Sequence, residues 1–581
     1  MFDNQKIKNF KNKFNLIFDT KEKIGFIKIL SLMVLGTFLE LCGIGLIIPF
    51  IKVFTDQEFL NSIYLRFNIQ PLQFDLLLIF SISIFLSFFL LKNIYLWIVL
   101  KKYSLFFSKH EANLQSKLLS GYLKNSVSFF KENDSSQIVT NIINISSFFS
   151  SVYLNAFTLL ILDILMQIFI FVLLLYFSWE STLFIFIFFG GLAFLLYSSN
   201  KKKLFLIGQT RNKFSAEQLS NLQETIGGIK EIKLTGRELF FLEKFKKTTN
   251  ILADMAYSSA VISGMPRLVI EVISVASIGS IVLFLSFLGK GFTEILPIVG
   301  LFLAAAYKMI PSLNKILLMF NRIKLSNDAV NRIIFLLNEF EKSKKNELKK
   351  FYNHKKVDFN EIILKNVSFK YEKRNQIVLE GISINFKKNS FTGITGESGS
   401  GKTTLIDLIM GVINPTSGII NLDNTPMIKI VKDWQHSIGY VDQNIFISNG
   451  SIKKNIAFGI PDEEIDLDLI KETIFKSSLD KFINNLKDGL DTNIGEHGAM
   501  ISGGQRQRIG IARALYNKPK VLIFDEATSA LDLQTENEIL NEINKLKNQI
   551  TMISISHRAN AIKYCDEVYN LKNNKLIKTT N

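Results

Sequence analysis

The residues with the clearest chemical potential begin at Gly396-Glu397-Ser398-Gly399-Ser400-Gly401-Lys402-Thr403-Thr404, directly after the apolar, strand-like run Ser390 to Thr395. Glycines at this spacing let backbone N–H groups turn inward around phosphate oxygens, and a helix starting at the end of the loop adds partial positive charge. Lys402 would reach the β and γ oxygens of a nucleotide, and Thr403 would ligate Mg²⁺. This is a P-loop pattern in strand-loop-helix context. A second apolar run, Val521 to Phe524, ends in Asp525-Glu526. There Asp525 could hold Mg²⁺ through its water shell, and Glu526 could orient or deprotonate an attacking water. Between them Ser502-Gly503-Gly504-Gln505 should present backbone donors at another helix start.

These loops need a parallel sheet to position them. From Ile362 onward short β-rich runs broken by Gly alternate with helical stretches, the pattern of an α/β nucleotide-binding domain. The rest of the chain has a different character. Its 581 residues are 48% hydrophobic with 52 Phe, which excludes a disordered or low-complexity protein. Mean hydropathy is +0.24 and the formal charge +17. Cys42 and Cys565 are too far apart, and in segments too different, for a disulfide framework.

Six apolar segments in the first 325 residues are each read as long enough to cross a hydrocarbon layer, which needs roughly 20 helical residues. They run about 24–51, 76–100, 152–177, 181–197, 268–288 and 295–316. The shortest, 181–197, could also be a buried core helix. Their connections alternate in charge. Residues 1–28 hold seven Lys against three acids, and the long loops after 100 and 197 are basic, from Lys101-Lys102 to Lys131 and from Lys201 through Arg211 to Lys247. Ser178-Trp179-Glu180 and Gly289 to Glu294 are lean by comparison. By the positive-inside rule the N-terminus, both long loops and everything after residue 317 face the cytoplasm. About two dozen mostly polar residues precede the first apolar run, so no cleavable signal peptide is expected.

Helical apolar spacing in the long loops, as at Leu118, Leu119, Tyr122 and Leu123, extends the spans as helices below the bilayer. The outer connection Phe59, Leu60, Ile63, Tyr64, Phe67 forms one apolar stripe, lying on the membrane surface or packed on neighbours. Three segments follow: a transmembrane domain over 1–335, a charged linker over 336–357 and a nucleotide-binding domain over 358–581. The fold class is thus a multidomain membrane protein, an all-α six-helix domain followed by an α/β P-loop NTPase domain.

Ile501-Ser502-Gly503-Gly504-Gln505-Arg506-Gln507-Arg508 resembles the signature sequence of ATP-binding cassette (ABC) proteins, with Ile501 where Leu is commoner. Other segments fit that family in its own order. Tyr371 stands at the adenine-stacking aromatic. Gln443 resembles the glutamine that contacts Mg²⁺ and the membrane helices. Ser529-Ala530-Leu531-Asp532 resembles the loop crossing the dimer interface, with Asp532 at its end. His557 resembles the histidine that holds the γ-phosphate, and Thr492 to Gly498 the exporter-specific loop, with His497 where Arg is more familiar. The resemblance implies ATP and Mg²⁺ as cofactors, with Glu526, His557 and Gln443 in catalysis and Thr403, Gln443 and Asp525 at the metal. It further implies a homodimer, because ATP in this family lies between the P-loop of one cassette and the Ser-Gly-Gly-Gln of another.

Six spans before a cassette resemble ABC exporters and flippases in the cytoplasmic membrane. Leu303 to Ile316, with Leu39 to Phe50, looks like the bacterial lipid-linked oligosaccharide flippase, with Lys308 where Arg is expected. That resemblance implies an amphipathic lipid-linked cargo, with membrane lipids as partners and no nucleic acid. Arg267, Lys308 and Lys315 are the candidate cargo-cavity residues, Lys308 and Lys315 falling on one helical face. Alternatively Arg267 and Lys315 snorkel to the inner headgroups and only Lys308 is unusual; Glu40 and Asp163 also lie within spans, and either is a candidate counter-ion. Export of a lipid A type lipid, a peptide or a toxin remains open, and a soluble ABC ATPase is disfavoured by the spans.

Overall fold

The computed structural model describes residues 17–46, 50, 53, 57–67, 73–177, 179–287, 292–342, 355–371, 377–495, 498–526, 533–556 and 562–579. Side chains at 183–202, 292–308 and much of 266–286 fall outside that description. Two compact units are formed, Met1–Asn125 with Phe130–Glu347, and Ser126–Phe129 with Leu348–Asn581.

The first unit is helical. Its main elements are α1 (Thr20–Gly45), α2 (Gln57–Phe67), α3 (Phe74–Leu123), α4 (Asn155–Phe177), α5 (Trp179–Gly227), α6 (Glu238–Phe287) and α7 (Phe292–Lys342). Lipid offers no partner to backbone N–H or C=O, so an apolar chain within it must satisfy these groups internally, as a helix does. Among the described residues, Thr20–Gly43, Asp75–Leu123 and Ser135–Val172 are long and apolar enough to cross a membrane. Helices α3, α5, α6 and α7 run 50, 49, 50 and 51 residues. At 1.5 Å per residue each is about 75 Å long, more than twice a hydrocarbon layer. The loops expected after residues 100 and 197 are therefore largely helical extensions. Two π-helical turns, Asn141–Ile145 and Phe148–Leu154, lead into α4. Close helix contacts use glycine: a Cβ on Gly208 of α5 would fall on the backbone carbonyl oxygen of Leu325 in α7.

The second unit carries two sheets. Strands β1 (Glu361–Lys370), β2 (Ile377–Lys387), β4 (Ser417–Leu422) and β5 (Thr425–Pro426) form an antiparallel sheet in the order β2-β1-β4-β5. The other sheet contains β3 (Phe391–Thr395), β6 (Ile438–Val441), β7 (Val521–Asp525), β8 (Thr551–Ile555), β9 (Glu567–Lys572) and β10 (Lys575–Thr579). Its order is β10-β9-β3-β8-β7-β6, parallel from β9 to β6. Every residue of β7 and β8 is buried, which is why these strands read as continuous apolar runs rather than alternating ones. Helices α8 (Lys402–Ile409), α9 (Leu467–Lys476), α10 (Gly503–Tyr516) and α11 (Leu533–Asn544) belong to this unit. Trp434, fully buried, donates from Nε1 to the Ile409 carbonyl at 2.7 Å and meets Phe359 edge-on, so its burial leaves no polar atom unsatisfied.

Strand order already gathers the chemistry. In a parallel sheet all C-terminal ends share one edge, and ligands bind in the crevice there. Ile394 of β3 pairs with Ile555 of β8, Ile555 with Asp525 of β7, and Phe524 with Val441 of β6. The loops holding Gly396, Ser556, Glu526 and Gln443 thus leave the sheet side by side.

Candidate functional site: a nucleotide cavity

That edge bounds a cavity of about 500 Å³. Tyr371, Ser398, Gly399, Gly401, Lys402, Thr403, Thr404, Gln443, Asp525 and Glu526 line it, with Ile377, Val378 and Asn574. Tyr371, much of the Gly396–Thr404 loop and all three residues expected at Mg²⁺ therefore come together, while Ser502 to Gln505 do not join them.

The loop cradles the space with backbone. Gly396 holds φ +148, and a Cβ there would lie 2.5 Å from the Leu571 carbonyl oxygen. Gly401, at φ +102, starts α8 in a conformation that other residues rarely adopt. Lys402 is 6% exposed, and its ammonium donates to the carbonyls of Gly396 at 2.7 Å and Glu397 at 2.9 Å. Burial holds it below its ordinary pKa, with Glu526 and Asp525 pulling the other way. Ser400 Oγ is buried with no hydrogen-bond partner among the described residues. A nucleotide phosphate fits this loop: it would accept from both the unsatisfied Ser400 hydroxyl and the Lys402 ammonium, which now curls back on its own loop.

Opposite the loop, Asp525 accepts from the Thr403 hydroxyl and from Tyr440, whose phenol oxygen lies 3.4 Å from Oδ2. Burial, chiefly, and the neighbouring Asp442 push the Asp525 carboxyl above its ordinary range. Thr403, Asp525 and Gln443 offer only oxygen ligands, a hard donor set of the kind Mg²⁺ prefers while keeping several waters. Glu526 accepts from Gln443 Nε2 at 2.8 Å. Its backbone sits in the left-handed region at φ 48, with its N–H held by the Ile555 carbonyl at 3.0 Å. A non-glycine residue in that region costs on the order of 1–3 kcal/mol and persists only when its surroundings enforce it. The turn aims the carboxylate into the cavity.

Tyr371 packs edge-on against Phe369 with centroids 4.9 Å apart, and its hydroxyl lies 3.2 Å from Thr404 Oγ1. Ser502 to Gln505 do not line this cavity. Ser502 instead caps α10: its Oγ accepts from Gln505 N at 3.2 Å, and its N–H donates to Gln505 Oε1 at 2.8 Å. This capping box leaves an exposed helix N-terminus made of the Ser-Gly-Gly-Gln motif. His557, Asp532 and His497 lie outside the described residues.

Tyr440 of β6 and Asn574 of the β9–β10 turn also reach the site, brought there only by the folded sheet and marked by no motif spacing.

In the helical unit Lys315 lines a cavity of about 470 Å³ together with Glu40, Asp163 and Ser312. Ser312 Oγ donates to Asp163 Oδ1 at 3.2 Å. Lys315 thus shares its space with two carboxylates, so counter-charge is available to it from within the protein. Arg267 and Lys308 lie in α6 and α7, with side chains outside the described residues.

A helical membrane domain joined to a P-loop domain with this carboxylate pair defines an ATP-driven membrane transport protein. The family model of the ABC transporter matches residues 379–529, and that of the ABC transporter transmembrane region matches residues 26–293. An ATP-dependent lipid A-core flippase of Ralstonia nicotianae is 28% identical over 82% of this chain and 79% of its own length. A multidrug resistance ABC transporter ATP-binding and permease protein of Lactococcus lactis is 25% identical over 79% and 76%. The solved structure of a bacterial Atm1-family ABC exporter with ATP bound has the same fold, with a TM-score of 0.76 at 20% identity, covering 96% of this chain and 94% of that one. The chain belongs to the ABC transporters, as an exporter with membrane and ATP-binding domains fused, and it couples ATP hydrolysis to transport.

Proposed function

We propose that this exporter flips a lipid-linked oligosaccharide or related glycolipid from the cytoplasmic to the outer leaflet of the cytoplasmic membrane. The basic long loops orient the N-terminus and the cassette towards the cytoplasm. Relatives named as lipid A-core flippases along most of the chain support lipid as the cargo class.

The observation that carries the mechanism is the convergence of Lys402, Gln443, Asp525 and Glu526 on one cavity that lacks the Ser502 motif. A second copy would supply that motif, so the working unit is a homodimer with two composite sites. Thr403, Asp525 and Gln443 would hold Mg²⁺, which supplies charge neutralisation at the phosphates. Lys402 exchanges its two loop carbonyls for phosphate oxygens, and the loop N–H groups complete the cradle. Glu526, held by Gln443, orients a water and accepts its proton. His557 would hold the γ-phosphate, Tyr371 would stack on adenine, and Asp532 would approach the partner. Closure of the paired cassettes and their release after hydrolysis would drive alternating access.

The test is reconstitution into liposomes with labelled glycolipids, phospholipids and peptides, scoring ATP-dependent movement. Glu526→Gln should keep ATP binding and lose about 10²–10⁴ in turnover, the usual contribution of a positioned base. Movement of peptides but no lipid would overturn the cargo reading, and normal hydrolysis by the Gln variant would overturn the role of Glu526.

A further inference from the structure

The helical unit holds a second, larger cavity of about 650 Å³, within the 300–1,000 Å³ range of ligand sites. It lies between α5, α6, α7 and the π-helical turn Phe148–Leu154. Such turns recur at functional sites because they displace side chains from regular helical register. Here the turn contributes Phe148, Ser151 and Val152.

The lining is asymmetric in charge. Arg211 and Arg322 face the cavity, and among the described residues no Asp or Glu does. Among the described residues neither guanidinium makes an ion pair; Arg211 stacks over Phe148 at 4.6 Å. Of the neighbouring acids, Glu111 lies behind the wall, accepting from the lining Ser151 Oγ at 2.8 Å, and Asp328 accepts from Asn212 Nδ2 at 2.8 Å. Asn321 and Gln218 add neutral hydrogen-bonding groups, while Leu252, Met255 and Leu318 supply apolar wall. This is the reverse of the Lys315 cavity, where two carboxylates share the space with the cation.

The backbone explains why the two arginines share one cavity. Gly208 lets α5 lie against the Leu325 carbonyl of α7. Arg211 is three residues beyond that crossing on α5, and Arg322 three residues before its counterpart on α7, so each projects within one turn of it. Arg211 falls about 21 Å beyond Tyr197 and Arg322 about 9 Å beyond Ile316, counted along the helices at 1.5 Å per residue. Both are on the side of the basic loops and beyond the ends of their spans, so a lipid of the inner leaflet would reach them head group first.

We propose that Arg211 and Arg322 form the receptor for the phosphate or pyrophosphate head group of the cargo, loaded from the cytoplasmic leaflet. Two planar forks match phosphate oxygens in a way that lysines do not, and the apolar wall accommodates the first part of the lipid chain. This inference rests on the lipid-transport reading above.

The test uses the purified full-length protein and three probes: polyprenyl pyrophosphate, the matching polyprenyl alcohol and inorganic pyrophosphate. Binding is read by native mass spectrometry. The wild type should retain the lipid pyrophosphate and neither control. Arg211→Gln/Arg322→Gln should bind it at least tenfold more weakly, and Arg211→Lys/Arg322→Lys should fall between. Ser259→Trp, which fills the cavity while both arginines remain, should lose binding as well. Lipid binding by the double Gln variant equal to wild type would overturn the site while leaving lipid transport standing. Equal binding of inorganic pyrophosphate would make this a free-anion site and overturn the head-group assignment. If the wild type binds no phosphate lipid, the transport reading fails, and the site with it.

Discussion

Arg513 offers the sharpest check on how the cassette holds its catalytic loop. From the last turns of α10 its guanidinium donates to the Asn455 carbonyl at 2.8 Å, Asn455 Oδ1 at 3.1 Å and the Phe446 carbonyl at 2.7 Å, and it lies 4.9 Å from the Phe458 ring. Asn455 is fully buried and in turn holds Ser448 through its N–H and carbonyl. One side chain therefore ties the segment just after Gln443 to the helix that begins at Ser502. Burial brings this guanidinium down to about 10, so the charge is retained at neutral pH and needs its partners. Charged-donor bonds contribute about 1.5–3 kcal/mol each but are not additive. Arg513→Ala strands no charge but leaves the Asn455 and Phe446 oxygens without their donor, at about 1–3 kcal/mol for each unsatisfied buried acceptor. Arg513→Lys keeps the charge without the fork and should cost about half. Hydrogen exchange of the full-length protein, followed over residues 446–458, measures the local opening. The Ala variant should exchange there at least a hundredfold faster, since about 1.4 kcal/mol is tenfold. Exchange within threefold of wild type would refute the argument that Arg513 braces this segment.

Gly396→Ala should lose nucleotide affinity by tenfold or more in a fluorescent-nucleotide titration, because the new Cβ meets the Leu571 carbonyl at 2.5 Å with φ at +148; unchanged affinity would mean the loop adjusts freely. Asp525 has a raised pKa, so its contribution is most favourable below the unfolded value, about 3.9, and is lost as pH rises through the folded one. Asp525→Asn should accordingly melt higher than wild type at neutral pH without Mg²⁺ or nucleotide, with the gap closing in acid; a lower melting temperature would contradict the sign. Burial pushes the Cys565 thiol up to about 12, so maleimide labelling of the folded cassette at pH 8 should be far slower than after denaturation. Rapid labelling of the folded protein would show that the thiolate is accessible.

The nucleotide cavity was legible because its parts are contiguous in the chain. Gly396 to Thr404 is one loop, Asp525 and Glu526 one strand end, and each carries its geometry in its residue types. Tyr440 and Asn574 come from β6 and the β9–β10 turn, and only the strand order brings them to Asp525 and Lys402. The helical unit is less legible. In the sequence Arg211 is one of many loop cations, since the positive-inside pattern places such charges there regardless of any site. What distinguishes it is the Gly208 crossing with Leu325, a tertiary fact that helical periodicity does not carry. Lys315 stood out as a charge near a span, but periodicity could not show that Asp163 and Glu40 share its cavity.

The uninterrupted length of α3, α5, α6 and α7 sets a mechanical scale for the membrane unit. A stiff rod of about 75 Å converts a tilt of roughly 5° at one end into a displacement of about 6.5 Å at the other. A shift too small to disturb packing near the pivot is thus wide enough, at the far end, to admit or exclude a sugar ring.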